Sequence, residues 1–314
     1  MIDFRYHLVS IISIFLALAV GIVLGAGPLQ ANLGTQLTDQ VAALRTEKQD
    51  LNDQLAASER RVAAGNEYAA AISDRVIDGA LTGHEVVLIV LPSADGALVD
   101  LLEEAVTTSG ATLNATVTVG NDWFDPALSS ERSEAASAAA STLGMSSPLS
   151  GDALLAEALA RLTVSTDVVS ASESRTAALK TLSDADLVDS TTDQLEPADL
   201  AVIVSGPISG DAAEVQRQGE TIRTLARLVA ENSAGAVVAG PQPVRAAGQP
   251  VSSDAVASIR SVDAASRLIS TVDHASEPSG PAIVVLALES ELAGEIGHYG
   301  SADGATAASP RVAQ

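Results

Sequence analysis

The sequence predicts an α/β protein in three stretches: an N-terminal transmembrane helix, a coiled-coil stalk, then a mostly parallel Rossmann-like or flavodoxin-like sheet flanked by helices. Three observations predict it. Leu8 to Thr38 contains no Asp, Glu, Lys or Arg, and Leu8 to Ala26 is strongly apolar. From Leu37 onward apolar residues recur at heptad spacing. From Glu85 onward, continuous β-branched runs alternate with helix-like stretches, as in a sheet covered on both faces.

The opening stretch, MIDFRYHLVSIISIFLALAVGIVLGAGPLQ, has a short charged head carrying Arg5. Its apolar part includes Leu8, Ile11, Leu16, Val20 and Leu24. As a helix, Leu8 to Ala26 would be about 28 Å long, close to the ~30 Å hydrocarbon thickness of a bilayer. A secretory apolar core is usually only about 7–15 residues. An uncleaved anchor over residues 1–28 is therefore expected, although Leu24-Gly25-Ala26 would also satisfy a small-residue cleavage site. Arg5 precedes the run, opposed by Asp3, and the next basic residue is Arg45. The positive-inside rule then keeps the head in the cytoplasm and exports the remainder, a single pass. Pro28 is expected to end this helix.

Residues 29–78 read as the coiled-coil helix. Leu37, Leu44 and Leu51 share one heptad position, and Val41, Lys48, Leu55 and Val62 share the other. Lys48 at a core position weakens the seam and can select register. The pattern continues loosely to Ile72 and Val76, interrupted at Gly65. Such a stripe needs cover. A second copy of the chain is the expected partner, and the chain's own globular domain is the alternative.

Residues 79–300 read as the exported α/β domain. The run Glu85 to Leu91 is a buried strand ending at Pro92, and Asp95 caps a helix reaching about Ser109 before Gly110. Thr112 to Val119 is the next strand. Helix-like stretches follow near 127–143, 151–162 and 173–183, with a short strand possible in numbers 185–189. The unit recurs as a strand at 199–207, an amphipathic helix at 211–231 and a strand at 236–241. Residues 267–273 read as a strand. Residues 279–294 fit either a strand opening or a helix capped by Ser279, and Pro281 and Gly294 favour the helix. The tail 301–314 is small and polar, and disorder is expected there.

Composition excludes several functions. Forty acidic residues against 17 basic give a net charge of −23, which excludes broad nucleic-acid binding. There is no cysteine, hence no disulfide and no thiolate. Three Phe, three Tyr and one Trp cannot furnish the aromatic girdles of a membrane barrel. A soft transition metal wants thiolate, thioether or imidazole ligands. The methionines are Met1 and Met145, and the histidines are His7, His84, His274 and His298, with no pair at ligand spacing. Folding could bring His274 and His298 together, and they are the weak metal candidates. His84-Glu85 opens like a zinc-protease motif but lacks the second histidine. The pair Asp122 and Asp125 around Trp123-Phe124 is a poor cation cluster. No nucleotide loop or nucleophile elbow is present, so no resident cofactor and no enzymatic activity are expected. The turns SGPISG at 205–210 and AGPQP at 239–243 sit where α/β sheets place ligands, and ordinary βα turns are the expected reading.

The segment DFRYHLVSIISIFLALAVGIVLGAGPL and the C-terminal LALESELAGEIGHYG, with Gly297, His298, Tyr299 and Gly300, resemble the mycobacterial copper transport protein B family of actinobacteria. The resemblance spans roughly residues 1–300. It implies an outer-membrane, channel-forming protein of copper efflux, with copper as the transported ion. The residues themselves suggest a non-catalytic anchored scaffold, whose stalk carries an extracytoplasmic domain that meets other envelope proteins.

Overall fold

The computed structural model describes residues 4–26, 28–165, 171–242 and 254–311. Asp3 of the head, Pro243 of the second turn and residues 312–314 of the tail lie outside the described residues. The chain divides into two compact units, Met1–Gly65 and Asn66–Gln314.

In the first unit, helix α1 (Phe4–Ala26) is strongly apolar after its Arg5 and His7 turn, and its side chains from Phe4 to Gly25 are exposed. Its Phe4–Gly25 stretch is 22 residues long with a mean hydropathy of 2.8, long and apolar enough to cross a membrane. Helix α2 (Pro28–Ile77) begins at the residue expected to break the first helix. Proline suits a first helical position, where its missing N–H would have had no partner anyway. Most of α2 belongs to the first unit. Its last turns belong to the second, where Ile77 is buried with Leu81, Val86 and Leu88. The contact boundary therefore falls at Gly65, ahead of the expected boundary at 78.

The second unit is built on seven strands in the order β3-β2-β1-β4-β5-β6-β7. These are β1 (Glu85–Val90), β2 (Thr112–Val119), β3 (Val188–Ser190), β4 (Leu200–Val204), β5 (Gly235–Ala239), β6 (Ser270–Val272) and β7 (His298–Tyr299). All neighbours pair parallel except β3, which runs antiparallel to β2. The helices are α3 (Gly96–Thr108), α4 (Ser129–Thr142), α5 (Gly151–Thr163), α6 (Ser172–Asp184), α7 (Ala212–Asn232), α8 (Ala255–Arg260), α9 (Asp263–Ser266) and α10 (Gly280–Leu292).

Alternation along the strands makes two cores, one on each face. Val87 and Ile89 pack with Ile203, Val238 and residues of α4 to α7. Val86 and Leu88 pack with Val202, Val237 and residues of α3 and α10. Covering both faces is why the strands read as unbroken apolar runs. Asp95 caps α3 as expected, accepting from Ala97 N at 3.0 Å. Residues 279–294 resolve as the helix α10, although the Ser279 side chain makes no capping bond. The strand expected over 267–273 shortens to β6, because α9 and its following turn occupy its start.

The tail departs from expectation. Gly300 N donates to Ala307 O at 2.9 Å, and Thr306 N donates to His298 O at 2.7 Å. Pro310 is buried. Thr306 and Ala307 are thus held by backbone hydrogen bonds beside β7, a pairing that polar composition does not reveal.

Candidate functional site

Strand order reverses between β1 and β4, and α/β sheets place ligands outside the carboxyl ends of the strands at such a switch point. Here that edge holds a cleft of about 400 Å³ lined by Pro92, Ser93, Asp125, Gly206, Ile208 and Glu214, among others. Ser93 has φ +65°, an uncommon conformation for a residue with a side chain. Its Oγ donates to Pro207 O at 2.7 Å, tying the β1 turn to the β4 turn. A Cβ at Gly206 would overlap the Ser93 carbonyl oxygen. The SGPISG turn is therefore more than an ordinary turn, since its glycine permits this backbone crossing.

The far wall is the loop 121–128. Arg132 on α4 is 4% exposed and holds that loop. It pairs with Asp152 at 2.9 Å and donates to Asp122 O and Asp125 O. Both of these bonds go to backbone carbonyls, and Asp125 Oδ1 accepts from Ala127 N. Opposite, Asp211 caps α7 through Ala213 N and Glu214 N, both at 2.9 Å. With Asp211 and Glu214 already at the helix start, an anion gains little there.

The histidines come to a different part of the same edge. Arg260 on α8 is nearly closed off. Its Nε donates to Thr271 Oγ1 at 2.8 Å, Nη1 to Asp273 at 2.6 Å and Nη2 to Tyr299 O at 2.9 Å. Asp273 also accepts from Ser301 N and Ala302 N. Thr271 Oγ1 lies 2.9 Å from His298 Nδ1. Among the described residues His274 Nδ1 has no hydrogen-bond partner, and it lies 3.7 Å from Asp273 Oδ1. Burial lowers the pKa of both histidines, and the Arg260 cation lowers both further. The two candidates therefore share Arg260 as a neighbour, its charge already paired with Asp273, and at His274 the Asp273 and Glu277 carboxylates oppose the lowering. Among the described residues, no group of three or more His, Cys, Asp or Glu is arranged to hold a metal ion.

His84 lies at the opposite, amino end of the sheet. Its Nδ1 is 2.5 Å from Asp199 Oδ2, while Asp199 Oδ1 accepts from Glu85 N at 2.7 Å. This clamp joins the starts of β1 and β4. Leu8, Ile11, Leu16, Val20 and Leu24, expected to anchor, are exposed along α1, and Leu37, Val41, Leu44, Leu51 and Leu55, expected to pair copies, are exposed along α2.

The sequence model of the family described as copper transport outer membrane protein, MctB, matches residues 1–310. The chain belongs to that family. A relative from Mycobacterium tuberculosis (strain ATCC 25618 / H37Rv), described as copper transporter MctB, is 27% identical over 97% of this chain and 98% of its own. One of the same description from Mycobacterium leprae is 29% identical over 98% of each chain. The MctB match includes both end motifs. At the second, β7 supplies His298 and Tyr299. Gly300, at φ +134°, lies where a Cβ would overlap the Asp273 carboxylate. In this MctB-family chain, then, Gly-His-Tyr-Gly closes a buried ion pair.

The sequence placed SGPISG at the carboxyl edge of the sheet as an ordinary turn, and offered His274 and His298 as weak metal candidates. Arg260 and Arg132 were not singled out, because their contacts are distant in sequence. Asp254 before the apolar Ala255–Ile259 stretch was a readable cap signal, and its Oδ1 does accept from Ala257 N at 2.6 Å.

Proposed function

We propose that the protein serves copper export or homeostasis at the cell envelope as a membrane-anchored homo-oligomer. The match of the copper transport family over residues 1–310 carries this reading. Three features support it. Helix α1 is long and apolar enough to anchor, and its flanking charge favours a cytoplasmic head with the bulk of the chain exported. The outer membrane remains the location that the family description offers. The heptad stripe of α2 is exposed and gains by pairing with a second copy in a coiled coil. Copper is cargo in this reading, moved or managed without a catalytic step.

A single helix cannot enclose a pore, so direct transport requires several copies of α1 side by side. A second reading follows from Arg260 beside both histidines: the α/β domain is a scaffold that contacts other envelope proteins, and the copper link is indirect. Copper flux into vesicles separates the two. The test uses the full-length protein beside a version lacking residues 4–26, delivered to the same vesicles. Flux present with the first and lost with the second supports the channel component. No flux with either supports the scaffold.

A further inference from the structure

We propose that α2 pairs with one second copy of the chain as a parallel, in-register coiled coil over Leu37 to Val62, with Lys48 of each copy set against Glu47 of the other. This rests on the homo-oligomer reading above and gives it a copy number and a direction.

The stripe sets the number of strands. Counted in heptads, Leu37, Leu44 and Leu51 fall at d, and Val41, Lys48, Leu55 and Val62 fall at a. The six apolar side chains among them are 39% to 63% exposed. They line about 38 Å of helix at 1.5 Å per residue, a length of surface that a second helix can cover. Leucine at d with β-branched residues at a favours two strands, and Val41 and Val62 supply the latter. Lys48 points the same way. In a two-stranded seam an a side chain lies at the edge, so its stem packs across the partner and its ammonium reaches water. Three or four strands close over that position.

Two observations set the direction. Only Gly27 lies between α1 and α2, so copies anchored by α1 in one membrane carry α2 in the same sense. The other is charge. In a parallel register Lys48 enters a hole formed by Leu44, Glu47, Lys48 and Leu51 of the second copy. Each lysine then meets the other copy's Glu47 carboxylate in a charge-assisted contact. The flanking pairs across the seam are Gln40 with Arg45, Glu47 with Asn52 and Gln54 with Glu59, none of them like-charged. An antiparallel register that matches Leu37 to Val62 sets Lys48 by Leu51 and Asn52, without that carboxylate. A pair of α1 helices encloses no lumen, so a channel needs such pairs to gather further.

The chain has no cysteine, so single cysteines report the geometry cleanly. Full-length Leu37→Cys, Val62→Cys and Thr46→Cys, the last at an outer f position, are oxidised with diamide in detergent. The expected result is a covalent dimer from Leu37→Cys alone and from Val62→Cys alone, and at least tenfold less from Thr46→Cys. Light scattering, corrected for detergent, gives the mass of two copies. Lys48→Glu weakens self-association at least tenfold, and adding Glu47→Lys restores it. Circular dichroism verifies folding, and Leu44→Cys replaces either end variant that does not fold. Cross-links that form only when Leu37→Cys and Val62→Cys proteins are mixed overturn the parallel direction. A mass of three or more copies overturns the pair, and a charge swap without recovery overturns the Lys48 contact. Self-association with no α2 cross-link overturns this proposal and leaves the homo-oligomer reading standing. A monomer by both readouts removes both.

Discussion

Arg260 and Asp273 form an ion pair of 2.6 Å in which the two side chains are 3% and 1% exposed. Four further groups hydrogen-bond to the pair. Thr271, Tyr299 O, Ser301 N and Ala302 N complete its hydrogen bonds, so α8, β6, β7 and the following turn meet at one charge centre. Removing one partner strands the other in the interior. Asp273→Asn should therefore destabilise the protein by about 3–5 kcal/mol. Replacing both, Arg260→Met with Asp273→Leu, should recover much of that loss. Denaturant unfolding of the full chain in detergent measures both. A single variant within about 0.5 kcal/mol of wild type would refute the assignment of the pair.

The histidines beside that pair set a pH dependence. Both have pKa values held below the ordinary 6.5, chiefly by burial. The unfolded chain therefore takes up protons at a higher pH than the folded one. Stability present above pH about 6.5 is lost as pH falls through the depressed folded values. Melting temperature should drop between pH 7.5 and 5.5, and the joint substitution His274→Asn with His298→Asn should flatten that slope. A slope unchanged in the variant would contradict the burial of these rings.

Gly206 faces the Ser93 carbonyl oxygen, and a methyl group there has no room. Gly206→Ala should destabilise by about 1–3 kcal/mol through overpacking and part the two turns. Ser93→Gly relieves the positive φ but removes the Oγ bond to Pro207 O, so its net change should be smaller, within about 1 kcal/mol. Thermal melts of the two variants should move in different directions or by clearly different amounts.

The α2 stripe can be tested through assembly. Burying a leucine is worth about 1.5–3 kcal/mol, so Leu44→Ala with Leu51→Ala should weaken self-association by at least tenfold. Lys48→Leu should strengthen it. Sedimentation in detergent reads both. Equal mass distributions for wild type and the leucine variant would remove α2 as the seam.

Much of the fold was legible because each face of the sheet demanded apolar residues. Val86 to Val90 must satisfy two cores at once, and that produces an unbroken run. Helix α7 was legible from Asp211 and the spacing of Ile222, Leu225 and Leu228, all of which pack inward. The edge of the sheet was harder to read. β7 is two residues long, and its partners in the tail are joined by backbone bonds that no side-chain pattern announces. The candidate site was half legible. The switch-point turn followed from strand and loop order, whereas Arg132 reaches Asp152 across a separate helix and Arg260 reaches β7 across 39 positions. Nothing in local spacing encodes such contacts.

The central claim is that copper handling depends on the anchor and not on a histidine site in the α/β domain. The most direct measurement is survival of a deletion strain across a copper series. The strain is complemented by the full chain, by a chain lacking residues 4–26, or by the chain carrying His274→Ala and His298→Ala. The account predicts copper sensitivity in the deletion strain, rescue by the full chain and by the histidine variant, and no rescue without α1. A deletion strain as resistant as its parent, or a folded histidine variant that fails to rescue, would contradict it.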